Sequence, residues 1–214
     1  MTLPTAMAST SSPARDYSSL FTNSVLMGSG CSPCPQPVTW SVDVRQLTTR
    51  AASREIRRLQ RATGRWSLAS GIPRDFIGRH KLTSDTRLHD LNPADGSTPQ
   101  TRHIYIGFYG SKEVPGFAGN VIGLAMPTSV VVSDRELVSG MAVFRSGYVT
   151  RQQVEEPRRL AHLYLHELGH IFGLGHANTQ ANVMYPTLGT MTDLGPGDRD
   201  GVRAFTQTRE RCAA

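Results

Sequence analysis

The stretch HELGHIFGLGH (residues 166–176) holds three of the 7 histidines in the chain. His166 and His170 are four positions apart, so on a helix both imidazoles leave the same face one turn apart. Gly173 can adopt the left-handed backbone that ends a helix, and the chain can then double back. His176 would thereby approach the helical pair from another direction. We expect these three histidines to hold one Zn²⁺ and to leave one coordination position open, as catalytic zinc sites do.

Glu167 lies beside the first of these histidines and projects differently from them, toward the expected position of a water molecule. It is not needed as a ligand. We expect it to act as the general base, taking a proton from metal-activated water and returning it to the leaving amine. A purely structural zinc is disfavoured because such sites usually close with a fourth protein ligand, and none is evident. His162, one turn earlier, is predicted to be a buried structural residue.

Hydrophobic periodicity predicts helices and strands on either side of this motif. The motif lies on a helix that begins at Pro157 and ends around Gly173. An amphipathic helix is predicted earlier in the chain, stopped by Gly64. Strands are predicted at residues 37–44, 102–110, 120–127 and 140–149, the third of them ended by its proline. Residues 84–100 are predicted to form a loop, and residues 195–207 a final short helix.

Composition separates a tail from a folded domain. Residues 1–34 are expected to be a low-complexity, loosely attached tail and linker, and residues 35–214 a single catalytic domain. No apolar run approaches the roughly 20 residues of a membrane span, and no signal peptide is legible. The net charge is +6, but the arginine-rich run at residues 53–65 is predicted to be a solvated helix face. No nucleic-acid partner is expected, because no recognised binding module accompanies it.

The motif HExxHxxGxxH at residues 166–176 resembles the signature of the metzincin metalloproteases. Met184, eight residues beyond the third histidine, resembles the methionine turn of that clan. The continuation Tyr185-Pro186 is similar to the matrixins, the matrix-metalloprotease-like family. Residues 194–202 resemble the start of the matrixin C-terminal helix. The resemblance is strongest over residues 160–205.

This resemblance implies an α+β, zincin-like catalytic domain. Its expected parts are a mixed, mostly parallel, twisted sheet, two long helices, and a small irregular C-terminal subdomain that ends in a helix. The implied function is zinc-dependent hydrolysis of internal peptide bonds in extended protein or peptide segments, by a chain expected to be monomeric. Two alternatives stay open: a non-catalytic, zinc-containing peptide-binding module, and a metallopeptidase acting on cell-wall peptide cross-links. The intact Glu167 argues against the first.

The resemblance also implies where a substrate would bind. Residues 120–127 resemble the edge strand along which matrixins pair an extended substrate, and an unpaired edge can accept a peptide as one more strand. The residues after Met184 resemble the wall of the pocket for the side chain that follows the cleaved bond. The candidate substrate-binding residues are therefore Val121, Ile122, Gly123, Leu124, Tyr185, Pro186 and Thr187.

The chain departs from the family pattern at several positions. Vertebrate matrixins place a histidine of a second, structural zinc site in the edge strand, where this chain has Leu124, so no structural zinc is expected. A calcium ion is left open but has no support in the pattern; Asp95, Asp198 and Asp200 are expected to be turn and capping residues. The family's latency cysteine motif is also missing.

The three cysteines are Cys31, Cys34 and Cys212, and an odd count leaves at least one thiol unpaired. The matrixin-like fold would bring the two ends of the chain near one another. We therefore expect one of Cys31 and Cys34 to form a disulfide with Cys212. Such a bond implies maturation in an oxidising compartment, so we expect a secreted, extracellular protein.

Overall fold

The computed structural model describes residues 16–18, 37–83, 102–117, 119–131 and 136–206. Four helices lie in these ranges: α1 (Thr49–Ser70), α2 (Ser146–Glu155), α3 (Pro157–Ile171) and α4 (Pro196–Thr206). The strands are β1 (Val38–Asp43), β2 (Arg74–Arg79), β3 (His103–Tyr109), β4 (Gly123–Val131) and β5 (Glu136–Arg145). None of the helices in the described part of the chain is long and apolar enough to cross a membrane.

The five strands form one mixed sheet in the order β2-β1-β3-β5-β4. β1 pairs in parallel with β2 and β3, and β3 pairs in parallel with β5, whereas β4 runs antiparallel to β5. The expected α+β fold with a mostly parallel sheet is confirmed. The antiparallel β4 lies at one edge of this sheet, so one side of its backbone pairs with no other described strand.

Helix α1 extends beyond Gly64, the residue at which the sequence predicted its end. The Thr48 side chain accepts a hydrogen bond from the backbone N–H of Ala51 and caps the helix start. The helix then passes through Gly64 and ends at Ser70, where Gly71 takes the left-handed backbone (φ 70°). The prediction of a stop at Gly64 is wrong, because the buried Trp66 continues the apolar stripe for another turn. The gain from its burial outweighs the roughly 1 kcal/mol that an interior glycine costs.

The end of β5 also differs from the prediction. The strand expected to run to Val149 ends at Arg145, and helix α2 begins at Ser146. Val149, Gln152 and Gln153 are buried at helical spacing, so packing against the core favours a helix there. Strand β2 was not predicted at all; every second residue in it is exposed, and its apolar pattern is weak.

The third predicted strand does not stop at its proline. β4 continues through Pro127 to Val131, with a shift in register just after the proline. Proline has no backbone N–H, and a strand at the edge of a sheet can lack one on its open side. The irregular pairing after Pro127 accommodates the residue without ending the strand.

The two longest helices, α1 and α3, pack against each other through buried aromatic residues. The Trp66 indole donates a hydrogen bond to the backbone carbonyl of Leu165 at 2.9 Å, and its ring stacks on Phe172 at 5.8 Å. Tyr164 packs edge-on against Phe144 of β5 at 4.6 Å. Each fully buried large apolar side chain contributes about 1.5–3 kcal/mol. This core holds α3 firmly in place beneath the sheet edge.

Residues 16–18 differ from the expectation of a loosely attached tail. The Ser18 hydroxyl donates a hydrogen bond to the carbonyl of His176 at 2.7 Å, and the Gly175 N–H donates to the Ser18 carbonyl at 2.9 Å. Asp16 accepts hydrogen bonds from residues 178–182. This short piece of the N-terminal sequence therefore packs on the loop that follows α3.

Candidate metal centre

Three imidazoles converge at the C-terminal end of α3. One ring nitrogen from each of His166, His170 and His176 lies within 4.8 Å of the others. The ring centroids are 4.8 Å apart for His166 and His170, 5.3 Å for His166 and His176, and 5.1 Å for His170 and His176. In the described ranges this is the one group of at least three His, Cys, Asp or Glu residues that could hold a metal ion.

The turn after α3 brings the third histidine to the other two. Gly173 has φ 86°, and its N–H donates to the His170 carbonyl at 2.9 Å. The Leu174 N–H donates to the carbonyl of Gly169 at 3.1 Å. These bonds close the end of the helix, and only the left-handed backbone at Gly173 permits the reversal without strain.

Backbone carbonyls orient the two helical imidazoles. His166 Nδ1 lies 2.8 Å from the Val183 carbonyl, and His170 Nδ1 lies 2.8 Å from the Leu174 carbonyl. A carbonyl only accepts, so each Nδ1 must carry the proton and donate it. Each Nε2 is then left with a free lone pair that can bind a metal, which is the arrangement usual for histidine ligands.

Burial keeps these ligands neutral. Desolvation lowers the pKa of His166 to about 4, against the smaller opposing effect of its bond to Val183. Burial also lowers the pKa of His170. A histidine must be unprotonated to bind a metal. At neutral pH little free energy is therefore spent on removing protons from these two side chains, so the donor set fits a zinc ion.

Glu167 lies in the same cleft and is buried, with 8% of its surface exposed. Burial raises its pKa to about 8, so the carboxyl group can exchange a proton near neutral pH. The edge strand approaches it closely: a Cβ added to Gly123 would lie 2.7 Å from Glu167 Oε1. The glycine therefore leaves the space in which the carboxylate sits.

His162 has a different role from the three converging histidines. Its Nδ1 accepts the N–H of Met191 at 3.0 Å, and its Nε2 lies 3.2 Å from the carbonyl of Val183. The side chain is buried. Both ring nitrogens are used to connect α3 to the C-terminal segment, and the same Val183 carbonyl also orients His166.

Met184 lies in a turn that is fastened to the loop carrying His176. The Ala177 N–H donates to the Met184 carbonyl at 2.9 Å. Met184 is buried and lies against Gly169 on α3, because a Cβ added there would overlap its Sδ. The turn thus packs directly behind the helix that carries two of the histidines.

Asp198 and Asn182 hold this turn, and sequence reasoning assigned them no such part. The buried Asp198 carboxylate accepts the N–H groups of Val183 at 2.7 Å and Met184 at 3.1 Å. It also accepts the N–H of Gly195, the residue before α4. Asp198 therefore caps the start of this helix as expected, and it holds the turn at Met184 in addition. Asn182 Oδ1 accepts the Gly197 N–H at 2.8 Å. These residues connect α4 to the metal centre, a contact between segments that no local pattern reveals.

The histidines lie in one large cleft of about 1140 Å³. One wall is the edge strand β4 with the residues before it, and the other is α3 with the segment after Met184. Six of the seven candidate substrate-binding residues line the cleft: Val121, Ile122, Gly123, Leu124, Pro186 and Thr187. Tyr185 is half-buried and is not among the lining residues.

Several predicted features fall outside the described residues. These are Cys31, Cys34, Cys212, Asp95 and the loop at residues 84–100. The expected disulfide therefore stays a prediction.

The described α+β domain thus brings three histidines, a buried glutamate and an edge strand together around one cleft. A model of the matrixin family matches residues 35–205, and the chain belongs to this family of zinc-dependent endopeptidases. Metalloendoproteinase 1 of Glycine max is 38% identical to it over 61 residues. That similarity covers 27% of this chain and 20% of the Glycine max protein, so the chain spans about a fifth of that relative.

Proposed function

We propose that this protein is a zinc-dependent endopeptidase. The observation that carries the proposal is the convergence of three histidine nitrogens within 4.8 Å beside the buried Glu167 in a cleft. His166, His170 and His176 would hold the zinc ion. When bound, zinc lowers the pKa of water to about 7 and polarises a carbonyl group.

Glu167 supplies the proton transfers. Its carboxylate takes a proton from the attacking water and returns it to the nitrogen of the leaving amine, so no net charge is left on the protein. Burial raises the pKa of the Glu167 side chain to about 8. A carboxyl group with such a pKa both accepts and releases protons near neutral pH, which supports this role. A module that only bound peptides would have no use for such a group.

The edge strand orients the substrate. Residues 123–125 of β4 and residues 121–122 just before it line the cleft. The open edge of β4 offers backbone N–H and carbonyl groups to an extended peptide. Pro186 and Thr187 border the opposite side. We assign residues 35–214 to the catalytic domain and Met184 to the turn that supports the metal centre. The domain would act outside the cell, as is typical of matrixins.

A paired measurement of metal content and peptide cleavage tests the proposal. The wild-type chain, loaded with zinc, should cleave internal bonds in a mixed peptide library and in unfolded proteins. Glu167→Gln should keep one zinc per chain while turnover falls by about 10²–10⁴-fold, the usual effect of losing a general base. Glu113→Gln, a glutamate outside the cleft that bonds Gln46, serves as the matched control and should cleave normally.

Removal of the metal gives an independent readout. Zinc binds only the folded arrangement of histidines, so a zinc concentration of about 100 times Kd stabilises the fold by about 2.7 kcal/mol. A chelator should therefore lower the melting temperature of the wild type and abolish cleavage. Full activity in Glu167→Gln, or unchanged cleavage after zinc is shown to be absent, would contradict the proposal.

A further inference from the structure

Two histidines of α3 share one carbonyl group. The ring of His162 lies one turn before that of His166, with 6.5 Å between the ring centres and 23° between the ring planes. The oxygen of the Val183 carbonyl lies 2.8 Å from His166 Nδ1 and 3.2 Å from His162 Nε2. A carbonyl oxygen has two lone pairs, so it can accept a hydrogen bond from each ring. One acceptor therefore contacts both the proposed zinc ligand His166 and its neighbour on the helix.

The tautomer of His162 follows from its second ring nitrogen. The backbone N–H of Met191 donates to His162 Nδ1 at 3.0 Å, so Nδ1 carries a lone pair and no proton. The proton of the ring must then be on Nε2, the atom that faces the Val183 carbonyl. His162 is 2% exposed, and both of its nitrogens have partners, as is usual for buried polar groups. His162 thus donates to the same carbonyl as His166 does.

The peptide unit between Val183 and Met184 is held at both ends. Its N–H, which belongs to Met184, donates to Asp198 Oδ1 at 3.1 Å. Its carbonyl, which belongs to Val183, accepts from the two imidazoles. A peptide unit is planar, so partners at its two ends fix the direction in which the carbonyl points. Asp198 supplies the partner at one end, and His162 supplies one of the two at the other.

The two helical ligands are oriented by acceptors of different kinds. His170 Nδ1 donates to the Leu174 carbonyl, which lies four positions further on, in the turn that ends α3. Val183 comes 17 positions after His166, so the helix and its turn do not determine where this carbonyl lies. Contacts between segments must place it, and His162 makes such a contact from the helix that carries the ligand.

We propose that His162 is a positioning residue for the zinc ligand His166, and that it acts through the Val183 carbonyl. The inference rests on the proposed function, because it concerns the same metal centre. The bond from His162 keeps the carbonyl in the place at which it accepts from His166 Nδ1. The His166 ring is then held in the orientation in which one of its nitrogens converges with those of His170 and His176. An apolar side chain at position 162 would fill the space but leave the carbonyl with one partner fewer.

Three substitutions at position 162 separate the donor from the rest of the side chain. The amide nitrogen of glutamine takes the place of imidazole Nε2, so His162→Gln keeps a donor toward Val183. Asparagine reaches only as far as Nδ1, so His162→Asn keeps an acceptor for the Met191 N–H and loses the donor. His162→Leu loses both. The zinc dissociation constant of each full chain is measured by competition with a chromophoric chelator, starting from the zinc-loaded protein.

The zinc dissociation constant should rise by about tenfold in His162→Asn and His162→Leu, at the lower end of the roughly 10–100-fold that lost outer contacts of a metal-binding histidine cause. His162→Gln should bind zinc as the wild type does. A role confined to packing would lower the stability of the variants in urea and leave the zinc affinity of the folded chain unchanged. Equal weakening in His162→Gln and His162→Asn, or unchanged zinc binding in His162→Asn, would overturn the proposal.

His103→Leu is the matched control. His103 is also a buried histidine with both ring nitrogens bonded, to Thr39 and Ser41 at 2.8 Å each, but it lies on β3 and does not line the cleft. This variant should lose stability in urea and keep the zinc affinity of the wild type. The visible absorption of Co²⁺ in place of zinc reports the geometry of the ligands. Its bands should shift in His162→Asn and stay unchanged in His162→Gln and His103→Leu.

A measurement on the wild type requires no variant to fold. The nitrogen chemical shifts of the His162 ring in the isotope-labelled, zinc-loaded chain show which nitrogen carries the proton. The proposal requires the proton on Nε2, the nitrogen that faces the Val183 carbonyl. A proton on Nδ1 would overturn it.

Cleavage assays on the same samples separate this inference from the proposed function. A wild type that binds zinc, shows the expected order of zinc affinities among the variants and cleaves no peptide would refute the endopeptidase function and support the positioning role of His162. A wild type that cleaves peptides, together with normal zinc binding in His162→Asn, would support the endopeptidase function and refute the positioning role.

Discussion

The carboxylate of Asp16 accepts a hydrogen bond from the backbone N–H of Asn178 at 2.9 Å, across 162 positions of the sequence. The same carboxylate accepts from the Thr179 hydroxyl and the Asn182 amide. Asn178 comes two residues after His176, and Asn182 lies two residues before Met184. The N-terminal segment thus connects the loop carrying the third histidine to the turn behind it.

Asp16→Ala should loosen this loop. Loss of the hydrogen bonds to a solvent-accessible carboxylate should lower the free energy of unfolding by about 1 kcal/mol at pH 7. The hydrogen bond from the Thr179 side chain has the largest effect on the pKa of Asp16. Together with the hydrogen bonds from the backbone of residues 178–179 and from Asn182, it outweighs desolvation and lowers this pKa. The stabilisation is therefore complete above the usual carboxyl pKa and is lost as pH falls through the lowered value.

Thermal melting from pH 7 to pH 2 checks the effect of Asp16. The difference between wild type and variant should shrink toward zero at the acid end. Asp75→Ala removes an exposed carboxylate from β2 and should melt like the wild type at every pH. Identical melting of Asp16→Ala and wild type at pH 7 would show that the contact does not stabilise the fold.

Gly123→Ala should impair catalysis without loss of metal. The added methyl group would lie 2.7 Å from Glu167 Oε1 and 2.9 Å from its Cγ, so the carboxylate must move away from the position that the glycine leaves open. Displacing a general base costs up to the 10²–10⁴-fold that its removal costs, and we expect a loss of roughly tenfold or more in kcat with zinc content unchanged.

The control for Gly123 is Gly64→Ala. Its added methyl group would also press on a flexible charged side chain, Arg74 Nη2 at 2.6 Å, but far from the cleft. This variant should keep full activity. Normal kcat in Gly123→Ala would mean that Glu167 can shift freely, which would weaken its assignment as a positioned base.

Gly169→Ala should destabilise the contact between α3 and the turn at Met184. The new Cβ would overlap Met184 Sδ and lie 2.8 Å from Trp66. Overpacking of a dense core typically costs about 1–3 kcal/mol. Urea unfolding of Gly169→Ala, Met184→Ala and the double variant measures the coupling. The double variant should lose less unfolding free energy than the two single variants lose when their losses are added. Strict additivity would mean that the two residues do not press on each other.

The convergence of His166, His170 and His176 could be predicted from the sequence because its signal is local. Spacings of four and six positions with Gly173 between them need only helical geometry and one turn. The contacts of Asp16 and Asp198 with the turn at Met184 join segments far apart in the chain, and a single aspartate carries no sign of its distant partner. Helix α2 was missed for a related reason: its apolar pattern is short, and its buried Gln152 and Gln153 are polar residues that take their place from tertiary packing.

His103 should make stability depend on pH between about 4 and 6.5. The side chain is 1% exposed, and its ring nitrogens lie 2.8 Å from the Thr39 and Ser41 hydroxyls. Burial, with a smaller effect from the charge of His80, lowers its pKa to about 4. The unfolded chain, with a histidine pKa of about 6.5, therefore binds more protons in this range. Stability must rise with pH across it, by up to about 3 kcal/mol.

Urea unfolding of His103→Phe and of the wild type at several pH values measures this contribution. The variant keeps a ring in the core but cannot titrate, so its stability should rise less steeply with pH from 4 to 6.5. Tyr105 contacts both histidines: its ring lies 4.3 Å from that of His103 and, edge-on, 6.4 Å from that of His80. His80→Phe is therefore the comparison; His80 is half-exposed, so this variant should leave most of the slope in place. If His103→Phe kept the full wild-type slope, the proton uptake on unfolding would have to come from another buried histidine.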